Sequence, residues 1–370
     1  MIVDPSYLIL SIIAMSVSEN NTPVSTSTSI TEAEEKNVPT ITEVVRNYKT
    51  KELIDFLRKE KDLVLDDDDL KIIEKEKITG RAFLKTTKEE FRSLGLGFGP
   101  ASDLADFIKE IGKRKLKAFS SYKSLKEVLK KYDIDGNGIG TIRQFSPKTY
   151  QLKDEDEELQ QCIKEIKRRL GNMGTVLADS NEAIRCEYIS TILHASLYIV
   201  KRITSKELTL APQLEVVGEE STGRVDYAIK NLEELICITE GKLHQVVMGF
   251  AQNLIQCESA LQANKRKRKR KSNEEFADDY DYIYGIVTTA TEWYFILYTS
   301  DGISCTSKNP LNIRFTESVL KEGSEEEREL CKNVKRVMEV IVGLLKDRVD
   351  VEKEPVTKKQ RIQGFFGNQE

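Results

Sequence analysis

Between Asn181 and Thr299 the chain switches repeatedly between two hydrophobic periods, and this alternation limits its fold more than any other feature. The segment "NEAIRCEYISTILHASLYIVKR" carries Ile184, Tyr188, Ile192 and Leu193 at helical spacing, so it predicts a helix with one apolar stripe. Then "LTLAPQLEVV", "RVDYAIK" and "LICITEGK" are short β-rich runs separated by turn residues. Helical periodicity returns in "HQVVMGFAQNLIQCESALQAN", two more β runs follow in "YIYGIVTTA" and "EWYFILYT", and a helix is expected from Glu325 to Arg348. A helix "EELQQCIKEIKRRL" precedes the series. An order of α, β, β, β, α, β, β implies a mixed central sheet with helices packed on it.

Charge inside the third β run calls for an explanation, because an ionised group at the edge of a buried strand is costly unless it is paired or binds a metal. Alternation in "LICITEGK" puts Ile236, Ile238, Glu240 and Lys242 on one side, so a carboxylate and an ammonium emerge where the strand ends. Asp226, on the preceding strand of a hairpin, comes alongside. Two convergent carboxylates and a lysine suit metal-assisted phosphodiester hydrolysis. The carboxylates hold Mg²⁺ and the ammonium offsets charge in the transition state. A solvated salt bridge on an ordinary strand is the plainer alternative. The order of elements, with Asp226 followed by Glu240-x-Lys242, resembles the PD-(D/E)XK nuclease superfamily. That resemblance implies a restriction-endonuclease-like α/β fold, a Mg²⁺ cofactor and a nucleic-acid substrate. It also implies that Gln252 and Gln256 stand beside the site and that the first helix adds a carboxylate, either Glu182 or Glu187. Two departures are the lack of a Pro before Asp226 and Gly241 in the variable slot.

Ahead of this region, Asn47 to Leu116 reads as five short, punctuated helices. Thr50 is placed to cap "KELIDFLRKE", the acidic run Asp66 to Asp69 opens the next helix, "TKEE" from Thr87 is a capping box, and Gly95 stops the helix that follows it. Pro100 then starts a helix with Leu104, Phe107, Ile108 and Ile111 on one face. The segment "ITGRAFLKTTKEEFRSLGLGFGPASDLADFIKEI" is similar to the sterile alpha motif (SAM) domain, with Tyr48 where many members carry a tryptophan. This implies an interaction module that pairs with itself or with another protein. Asp66 to Asp69 would form an acidic surface, with Lys109, Lys113, Arg114 and Lys115 as its basic counterpart. The join of the two modules, and phrases such as "LAPQLEVVGEESTGRVDYAI", resemble a fungal group related to Crinkler-type proteins, which implies a nuclear or effector role.

The expected organisation is therefore multidomain: a disordered segment at 1–44, a five-helix all-α SAM bundle at 45–118, a linker at 119–154, the α/β domain at 155–350, and a flexible tail at 351–370. Within the linker, "DIDGNGIGTIRQF" matches the first half of a calcium loop at Asp133, Asp135, Asn137 and Gly138. Gln144 stands where a bidentate Glu is required, so a Gly-rich turn is expected. The basic run of Lys265, Arg266, Lys267, Arg268, Lys269, Arg270 and Lys271 is expected in a protruding loop at 264–280, because seven like charges repel. It suits an importin-type receptor or a phosphate backbone. In the tail, Ile362, Phe365 and Phe366 resemble the peptide that docks on sliding clamps, although a tail folded onto its own core is the alternative.

Net charge says little here, since 57 basic and 61 acidic residues sit in unlike blocks. Six scattered cysteines without a CxxC pair read as reduced thiols, and the two histidines, His194 and His244, as incidental. No run after the opening approaches the length of a membrane span. The apolar opening, "MIVDPSYLILSIIAMS", lacks a basic start, so it reads either as a secretory signal or as an extension ahead of Met15. The expected location is the nucleus, with a secreted effector as the alternative.

Overall fold

The computed structural model describes residues 40–60, 63–242, 245–271 and 281–350, with the backbone alone at 269–271. Its first part is helical: α1 (Ile41–Arg46), α2 (Thr50–Lys59), α3 (Asp67–Lys75), α4 (Gly80–Phe83), α5 (Lys88–Ser93) and α6 (Phe98–Ile111). The caps are the ones the sequence announces. Asp66 accepts from the amides of Asp68 and Asp69, Thr87 and Glu90 form their box, and Gly95 takes a φ of 106° after α5. At α2 the cap shifts by one residue, with the Lys49 amide bonded to Glu52 and Thr50 already helical. Six helices replace the expected five, because α1 begins inside the segment read as disordered. Val44 and Val45 give the reason, since both are buried with Tyr48, Leu53, Leu57, Phe83, Phe91, Leu104 and Phe107. Burying each large side chain contributes ~1.5–3 kcal/mol, enough to hold a helix too short to persist alone.

The stretch at 119–154 is not a linker. Strand β1 (Lys117–Ala118) and strand β2 (Arg143–Gln144) join opposite edges of the sheet, with α7 (Leu125–Lys130) between them. Phe119, Leu125, Val128, Leu129 and Ile142 are buried in the core beneath one sheet face. Two-residue strands carry too little pattern to be seen in sequence. Asp133 to Thr141 forms turns and a short 3₁₀ helix.

The rest is a nine-stranded mixed sheet with helices on both faces. After α8 (Glu157–Met173) and α9 (Glu182–Thr204) come β3 (Leu208–Val217), β4 (Ser221–Asn231) and β5 (Glu234–Gly241), then α10 (Val246–Lys271). Strands β6 (Tyr282–Thr288), β7 (Glu292–Thr299), β8 (Gly302–Cys305) and β9 (Leu311–Asn312) and helix α11 (Glu325–Asp350) follow. Strands β3, β4 and β5 pair antiparallel, β5 pairs parallel with β6, and β6, β7 and β8 are antiparallel again. One core lies between the sheet and α8, α9 and α11, the other between the sheet and α10 with α7.

The helical part is tied to the sheet. Thr40 pairs with Lys115, the Lys117 amide donates to the Glu220 carbonyl, Lys59 pairs with Glu219 at 3.2 Å, and Val217 packs against the helical core.

Candidate active site

Strand β5 carries the central residues, and a bulge decides which way they face. Opposite Ile229 and Lys230 the register slips, so Ile236 points into one core and Ile238 into the other. The expected single face from Ile236 to Lys242 is thus wrong at its start. From Ile238 onward alternation resumes and turns Glu240 toward α10, where it is 5% exposed.

Tyr227 pairs with Thr239, and continuing that register sets Asp226 opposite Glu240. One Asp226 oxygen accepts the Gly241 amide at 2.7 Å, and the other accepts the Gln213 amide group at 3.2 Å. Both Glu240 oxygens are also engaged: Lys242 pairs with one at 2.5 Å and Gln256 donates to the other at 2.6 Å. Burial, and then the charge of Asp226, push the Glu240 carboxyl up to about 7. Burial also raises Asp226, against the Gly241 amide and Lys242. Desolvation works against the Lys242 ammonium, yet Glu240, with Asp226 and Glu182 behind it, holds its pKa above the ordinary value.

The first helix brings one of its two acids to this cluster. Glu182 opens α9; although the residue as a whole is exposed, its carboxyl is partly desolvated and is raised further by Asp226. Glu187, almost one and a half turns on, faces α8 and pairs with Arg169 at 3.2 Å. Gln256 lies against Glu240, whereas Gln252, buried one turn earlier, makes no side-chain hydrogen bond among the described residues.

Several residues that shape the site carry no motif. Gln213 reaches Asp226 from the neighbouring strand, where only the cross-strand register could have pointed to it. Asn253, fully buried, donates to the Ile238 carbonyl and lies 3.5 Å from the Gln256 oxygen, which turns the Gln256 amide group toward Glu240. Its position three residues before Gln256 on the inward face was the available signal. Gly249 leaves room for the Lys242 stem, since a Cβ there would stand 2.9 Å from Lys242 Cγ and 2.8 Å from Val287 Cγ1. Arg185, also buried, donates to the carbonyls of Leu177, Ala178, Ser180 and Thr289 and so fastens the start of α9 to the β6–β7 turn. A lone arginine in an amphipathic helix announces none of this.

Other expected features lie elsewhere. The basic run is the helical end of α10, not a loop, and follows Asn264, which bonds the backbone of Leu235 at the start of β5 rather than its Glu240 end. Its repulsion is offset locally: Arg268 pairs with Asp281, Lys267 donates to the Glu233 carbonyl at 3.0 Å, and Arg266 donates to the Val217 carbonyl. His194 is exposed on a groove between α8 and α9. The acidic run at 66–69 is spent on capping α3 and on pairs with Arg58 and Lys71, while Lys109 pairs with Asp106 and Arg114 with Glu60. His244, the N-terminal segment up to residue 39, for which disorder was expected, and Ile362, Phe365 and Phe366 lie outside the described residues.

Among the described residues no three of His, Cys, Asp or Glu stand close enough to hold a metal ion. The donor chemistry nevertheless suits a hard divalent cation, because two carboxylates on facing strands are both raised by burial, Asp226 raises Glu240 further, and one ammonium, Lys242, lowers both.

Residues 17–110 match the model of a SAM-like domain. The chain is 28% identical over 238 residues to Crinkler effector protein 1 of Rhizophagus irregularis, an overlap that covers 62% of this chain and 46% of the relative. The chain thus spans a little under half the length of that relative. No solved structure matches it. No described helix is long and apolar enough to cross a membrane.

Proposed function

We propose that the α/β domain is a Mg²⁺-dependent nucleic-acid phosphodiesterase carried by a SAM-like interaction module. The observation that carries this reading is Asp226 opposite Glu240, with Lys242 paired to Glu240 and Gln256 behind it, where β5 ends. The element order α9, β3, β4, β5, α10, β6, with β5 parallel to β6, supports a restriction-endonuclease-like core. Asp226 and Glu240 would hold the cation, with Glu182 at the rim. Bound there, Mg²⁺ supplies Lewis-acid polarisation of the phosphate and lowers the pKa of a coordinated water. Lys242 would move from Glu240 toward the scissile phosphate and offset the charge that develops on its oxygens. Gln256 keeps the Glu240 carboxylate oriented meanwhile.

A second reading is a nuclease-like scaffold that binds without cutting. It is favoured by the closed state of the cluster, in which both Glu240 oxygens already have protein partners. The discriminating experiment incubates the full chain with supercoiled DNA, single-stranded DNA and RNA in Mg²⁺, Mn²⁺ or EDTA, beside Glu240→Ala and Lys242→Ala. Metal-dependent cleavage lost in both variants supports the phosphodiesterase. No cleavage, with binding unchanged in both, supports the scaffold.

The SAM-like region suggests protein interaction, through self-association or a partner. Nuclear entry is proposed through the basic run; an importin-type receptor reads an extended segment, so the last turns of α10 would have to unwind. Sliding-clamp binding through the tail, and action as a secreted effector like the relative's name, stay proposals of the same kind.

A further inference from the structure

Gln213 is the one described residue at the candidate site whose backbone is held in an unfavourable conformation. Its φ is 49°, in the left-handed region that side chains with a Cβ rarely enter, yet it sits within the ladder of β3 with β4. Pro212 on one side pairs with Tyr227 and Leu214 on the other pairs with Val225, so the register runs straight through and sets Gln213 opposite Asp226. The strand needs no left-handed residue to turn or to end there. With this conformation goes a contact: the exposed Gln213 side chain reaches the paired strand, and Nε2 donates to Asp226 Oδ1 at 3.2 Å. The second oxygen, Oδ2, is fixed by the Gly241 amide at 2.7 Å. With a donor on each oxygen, rotation of the carboxylate plane about its terminal bond breaks a hydrogen bond.

We propose that Gln213 is a positioning residue, whose strained backbone fixes the plane of the Asp226 carboxylate so that its free lone pairs meet the cation shared with Glu240. This rests on the reading of Asp226 and Glu240 as cation ligands. The arrangement trades local backbone strain for a preorganised ligand.

The test compares the full chain with Gln213→Gly, which accepts the left-handed conformation and removes the donor, and Gln213→Ala, which removes the donor and keeps the strain. Three quantities are read: melting temperature without metal, hydrogen exchange of the Gly241 amide without metal, and Mn²⁺ affinity by calorimetry. For Gln213→Gly the expected result is a melting temperature equal to or above wild type, Gly241 exchange at least fivefold faster, and Mn²⁺ binding about tenfold weaker. Gln213→Ala should melt below Gln213→Gly and share its other two changes. Unchanged Gly241 exchange in both variants, or a lower melting temperature in Gln213→Gly, overturns the proposal. If wild type binds no Mn²⁺, the cation reading fails and the proposal falls with it. Unaltered Gly241 exchange with intact wild-type Mn²⁺ binding rejects Gln213 alone.

Discussion

Glu240 couples the candidate site to stability through its proton. Its carboxyl is pushed up to about 7 in the folded protein from about 4.5 in the unfolded chain, first because it is buried and then because Asp226 faces it. An acid whose folded pKa is raised binds more protons in the native state, so stability falls as pH rises through this window. The contribution is fully present below about 4.5 and lost above 7. At ~1.4 kcal/mol per pH unit it amounts to at most roughly 3–4 kcal/mol. Urea unfolding of the metal-free chain should therefore weaken from pH 5 to pH 8 in wild type and much less in Glu240→Gln; equal slopes would rule out this assignment. Arg185 works in the opposite sense, as a buried cation whose donors meet backbone carbonyls only. Arg185→Ala should cost roughly 3 kcal/mol by orphaning those carbonyls, and amide exchange should rise across residues 175–184. No change in that segment would mean that the loop is held by other contacts.

At the scale of elements, α10 is the support of the site, with Gly249, Gln252, Asn253 and Gln256 all on its first turns. Gly249→Ala should drive a methyl into Val287 and the Lys242 stem, at a cost of ~1–3 kcal/mol, and separate Lys242 from Glu240. Cleavage by the variant should fall more steeply than its stability, and a fully active variant would show that Lys242 is free to move. The same helix shows how far the sequence could be read. Its periodicity is clear up to Asn264, but the basic run beyond it continues the helix, with Arg268 paired to Asp281 and Arg266 and Lys267 bonded to carbonyls on distant segments. The order of the long strands was legible from their apolar runs, and so was the Asp226, Glu240, Lys242 constellation. The bulge that splits Ile236 from Ile238 was not, since it depends on pairing with Ile229 and Lys230. Nor were β1 and β2, whose two residues each become strands only because a sheet edge is there to receive them. Gln213 was hidden because its partner, Asp226, lies on another strand, and Arg185 because its partners are backbone carbonyls, one of them the distant Thr289.

For the molecule as a whole, the helical bundle and the sheet share structure rather than a free tether. The turn at Gly218 to Glu220 gathers Lys59 from α2, the amide of Lys117 from β1, Lys131 just after α7 and Gln262 from α10. Exposed pairs of this kind contribute little singly, so Lys59→Ala should shift stability by less than ~1 kcal/mol. Removing the segment up to Leu116 should do far more, because it uncovers Val217 and frees β1. The truncated chain is expected to melt well below the full chain, and equal melting temperatures would show two independent units. A partner bound to the bundle would then present the candidate site in a fixed orientation.

The function proposed for the α/β domain depends on where a metal ion binds. Crystals of the full chain soaked in Mn²⁺ should give an anomalous peak between the carboxylates of Asp226 and Glu240, with Lys242 displaced from Glu240 and no peak in Glu240→Gln crystals. A Lys242–Glu240 pair left intact, with no peak at this position at saturating Mn²⁺, would contradict it and leave the domain a scaffold.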